Sequence, residues 1–241
     1  MEKRFVGAGN IIVTGVVFLM IIGGVWVDGA MAAEEIKLPA PRTVGEMSLE
    51  EAIYGRKSVR DFLAAPLTME EVGQLLWAAG GETVDGVTGA TRAYPSAGGI
   101  YPLDIYLVAG KVTGLEPGIY RYDWKKHAIK MVRQGDHRKD LEAAARGQRM
   151  IGEAPVTIVV TAVFDATAGR YGDRGRRLYV PMDAGHLGQN VSLEAYSLRL
   201  GTVMVGAFSE DQVLKVMGNV AGQPVYIMPV GRPRGSGTKV E

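Results

Sequence analysis

Two short stretches of this 241-residue chain place reactive or receptive groups at a spacing that suits chemistry. The first is Arg56-Lys57-Ser58-Val59-Arg60, in which Arg56, Ser58 and Arg60 alternate. Alternate side chains of an extended segment share one face. Two guanidiniums and a hydroxyl on one face suit an anion with several acceptor oxygens, such as a phosphate monoester. A solvated basic turn with an incidental serine is the plain alternative for the same residues. The second stretch is Pro95-Ser96-Ala97-Gly98-Gly99, set between Tyr94 and Tyr101 and almost bare of side chains. Small residues there make a tight turn or let the backbone approach a flat ligand closely.

Composition removes several other chemistries. The chain carries 27 basic and 26 acidic side chains, a formal net charge of +1, which makes no electrostatic case for nucleic acid. Cysteine is absent, so disulfides, thiolate zinc sites and thiol nucleophiles are excluded. His127, His137 and His186 are far apart without ligand spacing, and no metal is expected. Apolar residues make up 47% of the chain, enough for a sizeable core.

The elements that must position those two stretches follow from periodicity and punctuation. Lys3 and Arg4 precede an uncharged run from Phe5 to Val27 that ends near Ala-Met-Ala. Residues 1–33 therefore read as a signal peptide or an N-terminal membrane anchor, which puts the remainder outside the cytoplasmic membrane. Residues 34–43 carry Pro39 and Pro41 and read as a linker, with the folded domain over 44–241. Ser48 with Glu51, and Thr68 with Glu71, have capping-box spacing at the start of two helices. DIYLVAG (104–110) reads as a strand, GIYRYDWKKHAIKMV (118–132) as a hairpin turning near Trp124–Lys126, and APVTIVVTAVF (154–164) as a central strand. A surface helix is expected at HRKDLEAAARGQ, a long helix over Leu178–Leu200, and a strand at GTVMVGAF. SEDQVLKVMG then makes a short helix and PVYIMPVG a last strand, so the whole is an α+β layered domain.

R-x-S-x-R-x-F followed some forty residues later by P-S-A-G-G-x-Y-P resembles the FMN-dependent nitroreductase superfamily, and within it the SagB-type dehydrogenase branch. PLTMEEVGQLLWAAGG, GLEPGIYRYD, RYGDRGRRLYV, DAGHLGQNVSLEA, GTVMVGAF and YIMPVGRP are similar to that branch in the same order, from about Met47 to Arg234. The resemblance implies a nitroreductase-like fold, a central mixed sheet flanked by helices, with FMN at a homodimer interface. It implies that Pro95, Ser96, Ala97, Gly98 and Gly99 meet the flavin ring, joined by Gly206 and Ala207. It further implies that Arg56, Lys57 and Ser58 surround the phosphate, that Arg60 lies near the pyrimidine edge of the ring, and that Arg232 or Arg234 completes the clamp. A fixed cation at that edge favours the negative charge gained on reduction.

The function so implied is an exported or membrane-anchored FMN oxidoreductase that passes two electrons through flavin N5 from a small donor to a small organic acceptor. Azoline oxidation on a modified peptide is an alternative, but the Lys-Tyr pair associated with it is absent from this chain. A non-enzymatic extracytoplasmic flavin carrier is another. Several residues keep two readings. Asp183, His186, Gln189 and Asn190 share one helix face and serve either a flavin, a partner or ordinary helix packing. GRYGDRGRR (169–177) reads equally as an active-site cover or an exposed loop, and Tyr94 and Tyr101 as ring neighbours or core. DGVTGAT (85–91) looks like the acceptor motif of periplasmic flavin transferases, which implies attachment at Thr91; a phosphate held at Arg56 and Ser58 instead argues for non-covalent FMN.

Overall fold

Every residue of Val156–Ala162 (β7) is buried. A strand with no exposed face has to run through the middle of a sheet covered on both sides. Leu103–Ala109 (β4) and Gln223–Gly231 (β9) flank it. Beyond β4 come the hairpin strands Gly118–Asp123 (β5) and Ala128–Gln134 (β6), then the edge strand Glu35–Lys37 (β1). Beyond β9 lies the short Gly201–Thr202 (β8). The computed structural model describes residues 35–86, 89–218 and 220–235, all within the unit Ala33–Glu241. The segment read as signal peptide or anchor lies outside them. No helix of the described residues is long and apolar enough to cross a membrane.

All strand pairings in this seven-stranded sheet are antiparallel, which corrects the expected mixed sheet. The reason lies in β9. Strands β7 and β8 run parallel and are joined through helices, but β9 returns between them and makes both of its own contacts antiparallel. Parallel contact survives only as isolated bridges among the described residues, Ser58 with Thr202 and Leu67 with Val112.

Helices cover both faces. Met69–Gly80 (α2) and Val180–Ser197 (α6) pack Val72, Leu75, Leu76, Leu187 and Val191 on Leu103, Ile105 and Leu107 of β4. The alternate residues Tyr106 and Val108 face the other way. There they meet Leu141 of Arg138–Ala144 (α3), Ile151 of Arg149–Glu153 (α4) and Val213 of Glu210–Met217 (α7). Leu49–Gly55 (α1) and α2 begin with complete capping boxes, as the spacing of Ser48 with Glu51 and of Thr68 with Glu71 predicts. Each such cap stabilises its helix by about 1 kcal/mol.

Three segments differ from expectation. Residues 34–43, expected to be a linker, contribute β1, paired with β6 from Glu35–Lys130 to Lys37–Ala128. Leu38 is buried beyond it and its N–H donates to His127 O at 3.0 Å. The glycine-containing stretch around Thr91 forms a hairpin, Glu82–Gly86 (β2) with Gly89–Arg92 (β3). The long helix also starts later than Leu178. The preceding chain is the helix Phe164–Arg174 (α5), kinked at Gly172 (φ 59°, ψ −149°), and a π-turn over Gly175–Tyr179. That backbone conformation is open only to glycine.

His127 pins the segment behind β1. Its Nε2 lies 2.9 Å from Pro39 O, which only accepts, so Nε2 carries the proton. Nδ1 is then free to accept from the Tyr122 hydroxyl at 2.8 Å. Burial holds the His127 pKa below its ordinary value. A folded-state pKa below the unfolded one contributes stability at neutral pH that is lost as pH falls through the folded value. Denaturant midpoints should therefore drop on going from about pH 7 to about pH 5, and His127→Phe should flatten that part of the profile. An unchanged slope in the variant would remove His127 as its source.

Candidate active site

The bare stretch 95–99 is held from behind by one face of α6. Asp183, only 2% exposed, accepts from the Ser96 hydroxyl at 2.5 Å. Ser96 Oγ in turn accepts the Tyr101 N–H at 2.9 Å, which closes a turn containing Gly98 (φ 65°) and Gly99 (φ 67°). One turn along α6, His186 Nδ1 lies 3.2 Å from Pro95 O. One further turn on, Asn190 Nδ2 donates to Ala93 O at 2.7 Å. Residues three and four apart on a helix lie above one another, so α6 grips three successive points of the stretch. Of the four polar residues on that face, Gln189 takes no part and is exposed. Burial pushes the Asp183 pKa up, against the Ser96 and Ala97 hydrogen bonds and the His186 charge that pull it down.

The same helix gathers the other predicted segments. A Cβ on Gly55, next to Arg56, would run into the Tyr196 side chain of α6. A Cβ on Gly188 would run into Met204, two residues before Gly206. One rigid element thus touches the chain beside Arg56, the stretch 93–97 and the approach to Gly206 and Ala207. Pro95, Gly98, Gly99, Gly206 and Ala207 are all exposed, with Ser96 and Ala97 half-buried. A Cβ on Gly206 would meet nothing within 4 Å, and Gly206 has no left-handed φ. The described chain itself would admit a side chain there, so the bareness answers to something outside it.

Arg56 ends α1, half-buried, and Lys57, Ser58 and Arg60 follow it, exposed. The segment runs extended along β8, with the Val59 N–H donating to Thr202 O at 2.9 Å and Val59 facing Gly201. Val59 turns toward Gly201, while Ser58 and Arg60 on either side of it are exposed. Among the described residues neither Arg56 nor Arg60 has an ion-pair partner. Two other predicted residues are engaged. Arg232 Nη2 lies 2.8 Å from Glu71 Oε1, and Glu71 uses its second oxygen on the Thr68 N–H. Arg234 Nε lies 3.0 Å from Asp61, and its Nη2 donates to Phe62 O. Both hold the C-terminal segment onto residues 61–71.

The arginine- and glycine-rich segment lies over the bare stretch. Arg170 Nη1 reaches Gly98 O at 3.4 Å, and a Cβ on Gly98 would lie 2.6 Å from the Tyr171 hydroxyl. The segment is helical rather than an exposed loop, as part of α5 and the π-turn that follows it. Tyr94 is fully buried and meets Tyr101 edge to face at 5.5 Å, so Tyr94 belongs to the core. Thr91 is occupied within its hairpin, where its hydroxyl donates to Val84 O at 2.6 Å and lies 2.8 Å from Thr83 Oγ1. Residues 87–88 of that motif lie outside the described residues.

The groups present are of the kinds that a flat ligand bearing a terminal phosphate needs: an exposed stretch of small residues, and two guanidiniums without ion-pair partners among the described residues. Comparison with known proteins points the same way. A model of the nitroreductase family matches residues 53–232. A protein of Methanocaldococcus jannaschii that carries the nitroreductase name is 39% identical over 198 residues, 82% of this chain and 96% of that one. A crystal structure from Anabaena variabilis under the same name is 30% identical, with a TM-score of 0.71. It matches 84% of this chain, which spans 42% of that longer protein. The Escherichia coli microcin synthetase McbBCD complex shares the fold at 20% identity, with a TM-score of 0.62 over 90% of this chain and 85% of that one. The match over residues 53–232 spans the bare stretch, its helical grip and the basic edge alike, and the chain belongs to the nitroreductase family.

Proposed function

We propose that this protein is an FMN-dependent oxidoreductase of the SagB-like kind, which passes two electrons from a small donor to a small organic acceptor. The observation that carries the reading is the exposed, small-residue stretch at 95–99, held by Asp183 and Asn190 of α6, in a chain whose Arg56 and Arg60 have no ion-pair partner among the described residues. FMN, when bound, supplies the two-electron chemistry. Arg56 and Ser58 bind its phosphate, a charge-assisted contact that fixes the cofactor in place. Arg60 offsets the negative charge that accumulates on reduction. Asp183, through Ser96, keeps the floor in a single backbone conformation, and Tyr171 and Arg170 restrict water above Gly98.

A homodimer completes the reading. Val44, Leu49, Ile53 and Tyr54 form an apolar strip around α1, with Tyr54 94% exposed, and a second copy is the occupant the family resemblance implies. Native mass spectrometry of residues 34–241 reads cofactor and assembly together. The expected species is a dimer with FMN in each subunit. A flavin-free protein, or one carrying FAD, would sink the cofactor assignment, and a flavin-loaded monomer the dimer. Stopped-flow reduction by NADH, NADPH and reduced quinones then tests turnover. A flavoprotein that none of them reduces is a carrier rather than this enzyme.

We also place the domain outside the cytoplasmic membrane, on the strength of Lys3, Arg4 and the uncharged run to Val27. Alkaline phosphatase fused after Glu241 should be active. An inactive fusion together with a fluorescing cytosolic reporter would put the domain inside.

A further inference from the structure

A second site lies where β4 and β5 part. The two strands pair from Ala109–Gly118 to Tyr106–Arg121 and no further. Beyond that point Leu103–Ile105 pair with β7, and Tyr122–Asp123 with β6. The split opens a cavity of about 410 Å³, lined among others by Arg92, Tyr101, Asp104, Arg121, Tyr122 and Trp124. That is enough for a small ring-bearing molecule.

A charge sits in its wall. Arg92 is 7% exposed, and its Nε donates to Gly80 O at 2.6 Å while Nη1 donates to Leu103 O at 3.4 Å. Both acceptors are neutral. Tyr94, Tyr101 and Trp124 surround the guanidinium at 5.2, 5.6 and 5.3 Å. Gly80 makes the room, since a Cβ there would lie 2.6 Å from Nη2. Among the described residues no carboxylate pairs with Arg92, and Nη2 has no acceptor. Of the acids in the lining, Asp104 is taken by Arg121 at 2.8 Å and Glu35 by Lys126 at 2.7 Å. The Tyr94 hydroxyl is buried close by. Burial works against the Arg92 charge, and a buried cation without an anion is among the costliest features a core can hold.

We propose that this cavity binds a small aromatic carboxylate, its carboxylate on Arg92 and its ring against Trp124 and Tyr101. One guanidinium balances one negative charge, so a carboxylate suits the site where a phosphate dianion would leave charge uncompensated. Tyr101, Tyr122 and Trp124 in the lining offer stacking partners to a flat ring. Tyr101 joins this cavity to the bare stretch: its hydroxyl accepts the Arg92 N–H at 3.2 Å, while its own N–H donates to Ser96. The proposal does not depend on which flavin the protein holds.

Calorimetric titration of the purified full-length protein with benzoate, and with benzamide as its uncharged isostere, tests this. Benzoate should bind saturably at one site per chain, and benzamide at least about tenfold more weakly. Arg92→Gln should abolish benzoate binding. Should that variant fail to fold, Trp124→Leu, at the half-buried hairpin turn, should still weaken benzoate several-fold without altering the visible flavin bands. Equal affinity for the two probes, no saturable benzoate binding, or an unchanged affinity in Trp124→Leu would each overturn the site. So would benzoate binding that perturbs the flavin spectrum and survives Trp124→Leu, because that would place the probe on the flavin.

Discussion

Arg56→Ala should weaken FMN binding by about ten- to a hundred-fold while leaving the fold almost untouched. A hydrogen bond to a charged group contributes about 1.5–3 kcal/mol, and each 1.4 kcal/mol is about tenfold in affinity. Arg56 has no ion-pair partner among the described residues, so its removal breaks no ion pair there, and the stability change should stay within about 0.5 kcal/mol. Arg232→Ala makes the contrast. Arg232 holds Glu71, which also caps α2, so that variant should lose stability more clearly than affinity. Titrating apoprotein with FMN by flavin fluorescence, beside urea melts of both variants, separates the two effects. An unchanged dissociation constant for Arg56→Ala would remove Arg56 from the phosphate site.

Asp183→Ala should cost about 1–3 kcal/mol of stability and release flavin as well. The substitution strands the Ser96 hydroxyl and the Ala97 N–H together, and with them the turn that shapes the floor. Asp183→Asn keeps one acceptor oxygen where the carboxylate has two, and should fall between the wild type and alanine. The two variants also differ from the wild type in pH dependence. Burial raises the Asp183 pKa in the fold. A raised folded-state value contributes stability that is present at acid pH and lost as pH climbs through it. That loss should vanish in Asp183→Asn, which has nothing to titrate. Identical pH profiles for wild type and Asp183→Asn would show that the carboxylate is not the group responsible.

Much of this architecture is legible where local chemistry is self-contained. The boxes at Ser48 and Thr68 need only four residues each, and the nearly continuous apolarity of β7, broken by Thr157 and Thr161, needs only its own seven. What could not be read depends on partners remote in the chain. β1 hides among prolines because three residues pairing with β6 leave almost no periodic trace. The hairpin around Thr91 is glycine-containing and lacks apolar alternation, so it reads as a loop. The order β7-β9-β8 has no local signature at all. At the site, the alternation of Arg56, Ser58 and Arg60 and the bareness of 95–99 are visible from composition and spacing. The face carrying Asp183, His186 and Asn190 was visible too, but not what it grips. Arg92 gave no signal, since a lone arginine in a short strand matches no pattern.

The position of β9 bears on how the chain comes to be folded. β9 is the last strand of the described chain, yet it lies beside the most buried strand and separates it from β8. A nascent chain that has not yet delivered Gln223 holds β7 with one raw edge and no place to seat β8. Such contacts between distant segments slow folding and leave sticky strand edges open meanwhile. Closure of this side of the sheet therefore waits on the last strand of the described chain.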